Sequence, residues 1–170
     1  MIYFTSDLHL GHRTIIKYRS HFDTVEKHDE YWLHKMEQLG KNDILYILGD
    51  FLFEGAHYNE YIKRIRKMKV RIKLVMGNHD SQELYKEINQ TPQSPEGSVE
   101  IQLPLFSYKN FWLSHCPIHP QEMRNRTGNI HGHLHGSILE DSKYFDVCPE
   151  KHSYNFVNFE DIKARFENGT

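Results

Sequence analysis

Short polar clusters follow the apolar segments of this chain, and they constrain its fold more than any other feature. Five clusters occur in order: Asp7-Leu8-His9, Gly49-Asp50, Gly77-Asn78-His79-Asp80, Ser114-His115 and Gly132-His133-Leu134-His135. Four of them come directly after a segment with the pattern of a β-strand. Because strands in an α/β sheet present their carboxyl ends at one edge, we expect these polar side chains to meet there.

Predicted strands and helices alternate in the first half of the chain. Residues 2–6, 44–48 and 72–76 are apolar runs of strand length, and each is followed by one of the polar clusters. Residues 25–39 and 58–68 carry apolar side chains at helical spacing. This alternation predicts an α/β fold with a parallel sheet.

The second half has a more β-rich pattern. Residues 91–97 contain two prolines and a glycine and are predicted to form a loop. Residues 99–105 alternate between apolar and polar positions, residues 111–113 form a compact apolar run, and Asn158 is placed to cap a short helix that continues through Arg165. Because no repeat or change in composition divides the chain, we expect residues 1–170 to form a single domain.

Charge and hydropathy argue against several classes of protein. The formal net charge is −2, so no overall field attracts a nucleic acid or an anionic membrane. Seven basic residues lie between Lys63 and Lys73, and we interpret them as a solvated helix face rather than a phosphate-binding patch. No apolar run approaches the roughly 18 residues of a membrane span, and the chain enters a strand without a basic leader. We therefore expect a cytoplasmic protein without membrane contact.

Histidine is unusually frequent, with 13 residues, whereas cysteine is rare. Five histidines have charged or polar neighbours and are predicted to lie at the surface: His21, His28, His34, His57 and His152. Cys116 and Cys148 form no Cys-x-x-Cys pattern, which argues against a disulfide framework and a thiolate zinc site. Cys116 directly follows His115, which could place it beside the site, but we expect its small side chain to be buried in the core.

The polar clusters supply a donor set suited to metal ions. It contains three oxygen donors, Asp7, Asp50 and Asn78, and four imidazoles, His9, His115, His133 and His135. Such a set favours Mn²⁺, Fe or Zn²⁺ over Ca²⁺. Seven ligands are too many for one catalytic ion that keeps open positions, so two ions sharing Asp50 are expected. A pair of ions is the usual arrangement for in-line displacement at phosphorus.

Taken together, the five clusters resemble the motifs of the calcineurin-like metallophosphoesterases. That family carries D-x-H, G-D, G-N-H-[D/E], H and G-H-x-H in this order, and here the matching span runs from residue 7 to residue 135. The resemblance implies an α/β fold of α+β-like character, the metallo-dependent phosphatase fold. In that fold two mixed β-sheets flanked by helices form a four-layer αββα sandwich.

The resemblance also implies a role for each matched residue. One metal would be held by Asp7, His9 and His135, the other by Asn78, His115 and His133, with Asp50 bridging. His79 would lie beside the leaving group as a general acid or transition-state stabiliser, oriented by Asp80. The implied cofactors are two divalent ions, Mn²⁺ first, with Fe, Zn and Ni as alternatives.

The expected reaction is hydrolysis of a phosphodiester in preference to a monoester. A hydroxide that bridges the two metals would attack phosphorus in line while His79 assists the leaving group. His12 and Arg13 follow the first cluster and are candidates for binding the substrate phosphate. The expected partner is a small phosphate ester, with a nucleotide as one candidate. Nucleic acid and the oligomeric state stay open, and the alternative functions are a non-catalytic metal-binding scaffold and a small nuclease.

Overall fold

Nine strands and four α-helices make up the regular structure of residues 1–53, 57–90 and 98–168, which this computed structural model describes. The strands are β1 (Ile2–Thr5), β2 (Ile44–Leu48), β3 (Arg71–Val75), β4 (Ser98–Ile101), β5 (Leu105–Tyr108), β6 (Phe111–Ser114), β7 (Gly128–His131), β8 (Tyr144–Asp146) and β9 (Val157–Asn158). The helices are α1 (Val25–Glu37), α2 (Tyr58–Ile65), α3 (Gln82–Gln90) and α4 (Phe159–Glu167).

The strands form two mixed sheets. The first has the order β4-β3-β2-β1-β9, in which only β9 runs antiparallel to its neighbour. The second has the order β5-β6-β7-β8, in which only the β5–β6 pair is antiparallel. Two mixed sheets with helices confirm the predicted fold class.

Alternation along β2 shows how the layers are held together. Leu45 and Ile47 belong to a core shared with apolar side chains of α1, α2 and α3. Tyr46 and Leu48 point the other way, into a second core shared with Leu113 of β6. Phe159 and Ile162 of α4 join this second core. Strand β2 is therefore buried on both faces, which explains its continuous apolar run.

Most predicted elements lie within one to three residues of their observed bounds. The largest error concerns residues 99–105, which are not one strand. Ser98–Ile101 pairs with β3 in the first sheet, whereas Leu105–Tyr108 pairs with β6 in the second. Pro104 between them has no amide hydrogen to donate to a sheet, so the chain changes sheets there. The predicted loop at 91–97 lies outside the described residues.

The last helix begins as predicted. The side chain of Asn158 accepts a hydrogen bond from the Glu160 amide at 2.9 Å, and α4 continues to Glu167. Among the described residues, no helix combines the length and apolar character needed to cross a membrane.

Candidate metal centre

The loops that carry the predicted ligands turn sharply where the strands end. Five of the seven ligands adopt a left-handed backbone with φ between 50° and 73°: Asp7, His9, Asp50, His133 and His135. Residues with a side chain rarely adopt this conformation, and each instance costs about 1–3 kcal/mol. Backbone hydrogen bonds between the loops hold it in place, from Asp7 to Gly49 at 2.8 Å and from His9 to Asp50 at 2.9 Å.

Two glycines of the motifs are required because other groups approach their backbones closely. A Cβ atom on Gly49, whose φ is +90°, would lie 2.3 Å from Nδ1 of His115. A Cβ atom on Gly77 would lie 2.2 Å from Oδ1 of Asp50. The glycines therefore allow ligands from one loop to reach across the backbone of another.

One group of donors gathers Asp7, His9 and His135. Nε2 of His9 lies 3.3 Å from Nε2 of His135, and Oδ1 of Asp7 lies 3.5 Å from Nε2 of His135 and 3.9 Å from Nε2 of His9. Asp7 and His9 are almost fully buried. These three residues are the set that the sequence assigns to the first metal.

A second group gathers Asn78, His115 and His133. Nε2 of His115 lies 2.9 Å from Oδ1 of Asn78 and 3.2 Å from Nδ1 of His133. Asp50 lies between the two groups, because its Oδ2 is 3.7 Å from Nε2 of His9 and 3.5 Å from Nε2 of His115. The structure thus brings all seven predicted metal ligands together.

The spacing of these atoms fits divalent ions. A metal bonds nitrogen and oxygen ligands at about 2.1 Å, so two ligands of one ion stand about 3.0–3.4 Å apart. The His9–His135 and His115–His133 pairs, at 3.3 and 3.2 Å, have this separation. Oδ1 of Asp7 is buried and makes no hydrogen bond among the described residues, as expected of an atom directed at a cation.

Electrostatics keep His9 in the form that can bind a metal. Burial, and next the charge of a protonated His135, lower the pKa of His9 to about 2. The ring is therefore neutral near pH 7 and offers a lone pair, as a metal ligand must.

His79 lies beside the first group of donors. Its ring centre is 5.7 Å from that of His9, and the ring stacks on Phe53 at 5.4 Å. The His79 amide also donates a hydrogen bond to Oδ1 of Asp50 at 2.8 Å. The His79 side chain is exposed, whereas its backbone amide is hydrogen-bonded to a predicted metal ligand.

Asp80 supports the loops through its carboxylate. One carboxylate oxygen accepts hydrogen bonds from the amides of Phe51 and Leu52 at 2.7 and 3.3 Å, and the other accepts from Gly77 at 2.8 Å. These contacts do not include the His79 ring, so the orienting role given to Asp80 stays a prediction. Its carboxylate faces backbone amides because the turn after Gly77 directs it under the loop after β2.

The two substrate candidates differ in their surroundings. His12 packs against Phe53 with ring centres 4.4 Å apart, and it lines a cavity of about 550 Å³ together with His9, His79 and His135. Arg13 is exposed and forms no ion pair or side-chain hydrogen bond within the described part of the chain. The structure thus brings His12, but not Arg13, into contact with the predicted site.

Two charged residues near the site escaped the sequence analysis. Glu150 places Oε1 3.2 Å from Nδ1 of His135, and the fully buried Arg19 contacts both Glu150 and the backbone carbonyl of Asp7. Burial alone would raise the pKa of Glu150, but the His135 hydrogen bond and the Arg19 charge bring it down to about 2. Neither residue belongs to a recognisable motif, so only tertiary structure reveals them.

Two predictions about burial are wrong. His28 is fully buried rather than exposed, because its ring bonds to Asp29 and contacts Arg19. Cys116 is exposed rather than buried, and its Sγ lies within 4.8 Å of ligand atoms of His115 and His133. Of the other histidines predicted at the surface, His21, His34 and His57 are exposed and His152 is half-buried.

Two mixed sheets whose strand ends gather carboxylate, amide and imidazole donors are the architecture of a metal-dependent phosphoesterase. The chain belongs to the calcineurin-like phosphoesterase family, whose model matches residues 1–167. Members of this family hydrolyse phosphoesters with divalent metal ions, and the clustered Asp and His side chains described above suit that chemistry.

Several known proteins are similar to this chain along most of its length. The gene 66 protein of Mycobacterium phage L5 is 28% identical over 163 residues, which cover 81% of this chain and 78% of the phage protein. An uncharacterized protein of Methanocaldococcus jannaschii is 26% identical over 156 residues, covering 91% and 79%. The crystal structure of a protein of unknown function from Aquifex aeolicus superimposes with a TM-score of 0.70 at 26% identity, covering 96% and 98%.

Proposed function

We propose that this protein is a two-metal phosphodiesterase in which His79 assists departure of the leaving group. The observation that carries the proposal is the convergence of two donor groups around Asp50. Its Oδ2 lies 3.7 Å from Nε2 of His9 in one group and 3.5 Å from Nε2 of His115 in the other. A carboxylate in this position can be shared by two ions.

The protein side chains divide the work of holding the ions. Asp7, His9 and His135 would hold one and Asn78, His115 and His133 the other, with Asp50 common to both. When bound, two divalent ions supply a hydroxide nucleophile near neutral pH and offset the charge on the phosphoryl oxygens. The mixed oxygen and nitrogen donors support Mn²⁺ as the first candidate, with Fe, Zn and Ni as alternatives.

His79 is placed to act on the substrate rather than on an ion. Hydrolysis forms one bond from a water oxygen to phosphorus and breaks the bond to the alcohol, which must gain a proton. A ring nitrogen of His79 would donate that proton. Stacking on Phe53 and the amide hydrogen bond to Asp50 hold the residue at the edge of the donor groups.

The size of the adjacent cavity supports a diester substrate. Its volume of about 550 Å³ is within the range typical of small-molecule sites and far exceeds the needs of a phosphate group. A diester has two organic groups to place beside the metal centre, and a cavity of this size can hold one of them while the other faces solvent. The proposed substrate is therefore a small phosphodiester.

The alternative functions receive less support. A non-catalytic scaffold has no need of a complete ligand set, yet the structure gathers all seven donors. A nuclease needs cations for the phosphate backbone. Three basic residues of the segment from Lys63 to Lys73 are paired with glutamates, Arg64 with Glu30 and Glu37, Arg66 with Glu87 and Lys73 with Glu100. We keep a cytoplasmic location and a single domain spanning residues 1–170 as parts of the proposal.

The direct test is hydrolysis of bis-p-nitrophenyl phosphate by chelator-treated protein with and without added Mn²⁺. We expect turnover only with the metal and a higher kcat/KM than for p-nitrophenyl phosphate. Turnover of the monoester alone would reject the diesterase assignment. If no phosphate ester is hydrolysed in a metal-dependent reaction, the proposal that the protein is an enzyme would be rejected.

A further inference from the structure

We infer that the cavity beside the metal centre binds a nucleobase of the substrate against Tyr18, so that the phosphodiester is a nucleotide ester. This inference rests on the proposed phosphodiesterase function and names its substrate class. The cavity is lined at the site by His9, His79 and His135, and away from the motif residues by Ile15 and Tyr18. One continuous space thus joins the predicted metal ligands to an aromatic side chain.

Tyr18 has the exposure expected of a stacking platform. Its relative exposure is 79%. Tyr18 directly follows a short 3₁₀ helix (Ile15–Lys17), whose first residue, Ile15, is 3% exposed and anchors it in the protein. Scattered exposed aromatic residues need no function. Tyr18 differs because it lines the same cavity as the proposed catalytic histidine, His79. A base has a π-face that can cover such a ring.

Charge near Tyr18 also suits a nucleotide. Arg13 and Lys17 are exposed, and neither forms an ion pair within the described part of the chain. Neither cation is among the residues that line the cavity, so they add positive charge to the segment beside it rather than a contact with the substrate.

The test compares two esters that share a leaving group. Thymidine 5′-(p-nitrophenyl phosphate) carries a base, and methyl p-nitrophenyl phosphate does not. We expect Tyr18→Ala to reduce kcat/KM for the thymidine ester about 5- to 150-fold, the range for loss of one base–aromatic stack. Activity toward the methyl ester should stay unchanged, and Tyr18→Phe should keep the preference for thymidine. Tyr85→Ala, at an exposed tyrosine of α3, is the matched control.

Two results would separate the failure of this inference from that of the proposed function. Equal effects of Tyr18→Ala on both esters, or no effect on either, would overturn the nucleobase site while leaving the phosphodiesterase intact. If wild-type protein hydrolyses neither ester, calorimetric titration with thymidine 5′-monophosphate tests the subsite alone. Tyr18→Ala should then weaken binding by a similar factor, and unchanged binding would overturn the inference.

A separate network, centred on the fully buried Arg19, points to Glu150 and Arg19 as positioning residues for the proposed metal ligand His135. Oε1 of Glu150 lies 3.2 Å from Nδ1 of His135. Nε of Arg19 donates a hydrogen bond to the same Glu150 oxygen at 2.9 Å, and Nη2 forms an ion pair with that oxygen at 2.8 Å. A carboxylate on Nδ1 keeps the proton there and leaves Nε2 of His135 free for a metal.

Arg19 also fixes the backbone of the first ligand loop. Its Nη2 donates to the carbonyl oxygen of Asp7 at 2.6 Å, and its Nη1 donates to that of Leu8 at 3.3 Å. A fully buried guanidinium is costly unless its donors are satisfied and its charge is paired. Here one side chain ties Glu150 to the loop that carries Asp7.

The network continues into α1. Nη1 of Arg19 lies 2.9 Å from Nε2 of His28, whose Nδ1 is 2.7 Å from Oδ1 of Asp29. Oδ2 of Asp29 accepts hydrogen bonds from the amide of Gly11 at 2.8 Å and the hydroxyl of Tyr61 at 2.9 Å. The orientation of His135 is thus linked to packed helices rather than to a single surface residue.

Metal binding and the tautomer of His135 test this role without measuring activity. Titration of metal-free protein with Mn²⁺ should show Glu150→Ala weakening one binding step about 10- to 100-fold, with the other step retained. Glu150→Gln, which keeps an acceptor oxygen, should lose less. Glu167→Ala, at an exposed glutamate of α4, should match the wild type.

In ¹H–¹⁵N spectra above pH 8, wild-type His135 should carry its proton on Nδ1 and Glu150→Ala should shift it toward Nε2. Equal weakening of both steps, or an unchanged tautomer, would overturn the assignment.

Discussion

The Nδ1 atom of His115 lies 2.8 Å from the carbonyl oxygen of Leu48, the last residue of β2. A carbonyl can only accept, so Nδ1 carries the hydrogen and Nε2 is left to face Asn78 and His133. His115 follows β6 of the second sheet, whereas Leu48 ends a strand of the first. This hydrogen bond therefore joins the two sheets and sets the form of a predicted metal ligand.

Substitution of the glycine beside this contact should disturb the metal centre. In Gly49→Ala the new Cβ would lie 2.3 Å from Nδ1 of His115, on a backbone with a φ of +90°. We expect lower stability and weaker metal binding, measured by thermal unfolding and by Mn²⁺ titration. Gly40→Ala is the control, because its Cβ would meet Oδ2 of Asp43 at an ordinary 3.6 Å. Equal behaviour of the two variants would argue against the close approach.

The proposed division between metal ligands and His79 predicts two different losses. His79→Ala should keep both metals but lose turnover about 10²- to 10⁴-fold, the usual contribution of a general acid. His133→Ala should lose metal as well as activity. Metal content by elemental analysis, measured beside kcat, distinguishes the variants. The same metal loss in both would contradict the role given to His79.

Removal of Asp80 should destabilise the loops that carry Asp50 and Asn78. Asp80→Ala deletes the acceptor for the amides of Phe51, Leu52 and Gly77. Each buried donor left without a partner costs about 1–3 kcal/mol, so the free energy of unfolding should fall by at least about 2 kcal/mol. Urea denaturation measures this change. Asp80→Asn retains one oxygen and should lose less, and a stability unchanged in Asp80→Ala would refute the supporting role.

Removal of metal should lower the melting temperature. Asp7 and Asp50 are almost fully buried, and without cations their charges oppose one another. An ion present at 100 times its dissociation constant stabilises the folded state by about 2.7 kcal/mol. Calorimetry with and without a chelator should therefore show a lower transition for the metal-free protein. His115→Ala should reduce this difference, since it deletes one of the ligands.

Acidification should destabilise the protein partly through His28. Burial lowers the pKa of this histidine in the folded state below its ordinary 6.5, although the Asp29 hydrogen bond opposes the shift. Below about pH 6.5 the unfolded chain therefore binds more protons than the folded one, and stability falls as the pH drops toward the folded pKa. One such group contributes at most about 1.4 kcal/mol per pH unit. Urea unfolding from pH 7.5 to 5 should show a shallower decline in His28→Gln, and parallel slopes would count against this origin.

The sequence alone determined the parallel strands β1, β2 and β3 of the first sheet and the candidate ligand set. Buried parallel strands must be apolar on both faces, so residues 44–48 were recognisable without tertiary information. The motifs also named the seven candidate ligands that meet around Asp50, because metal chemistry restricts the residue types that can bind an ion.

Tertiary structure decided what depends on contacts between distant segments. The chain switches sheets at Pro104 and His28 is buried, although the local sequence predicted one continuous strand and a surface histidine. The hydrogen bonds from loop amides to Asp80 are likewise visible only in the folded chain. Arg19 and Glu150, which are 131 residues apart, have no local signal at all. The residues that can bind a metal are recognised from their chemical type and their order in the sequence. The residues that orient them are determined by packing between distant segments, which only the tertiary structure shows.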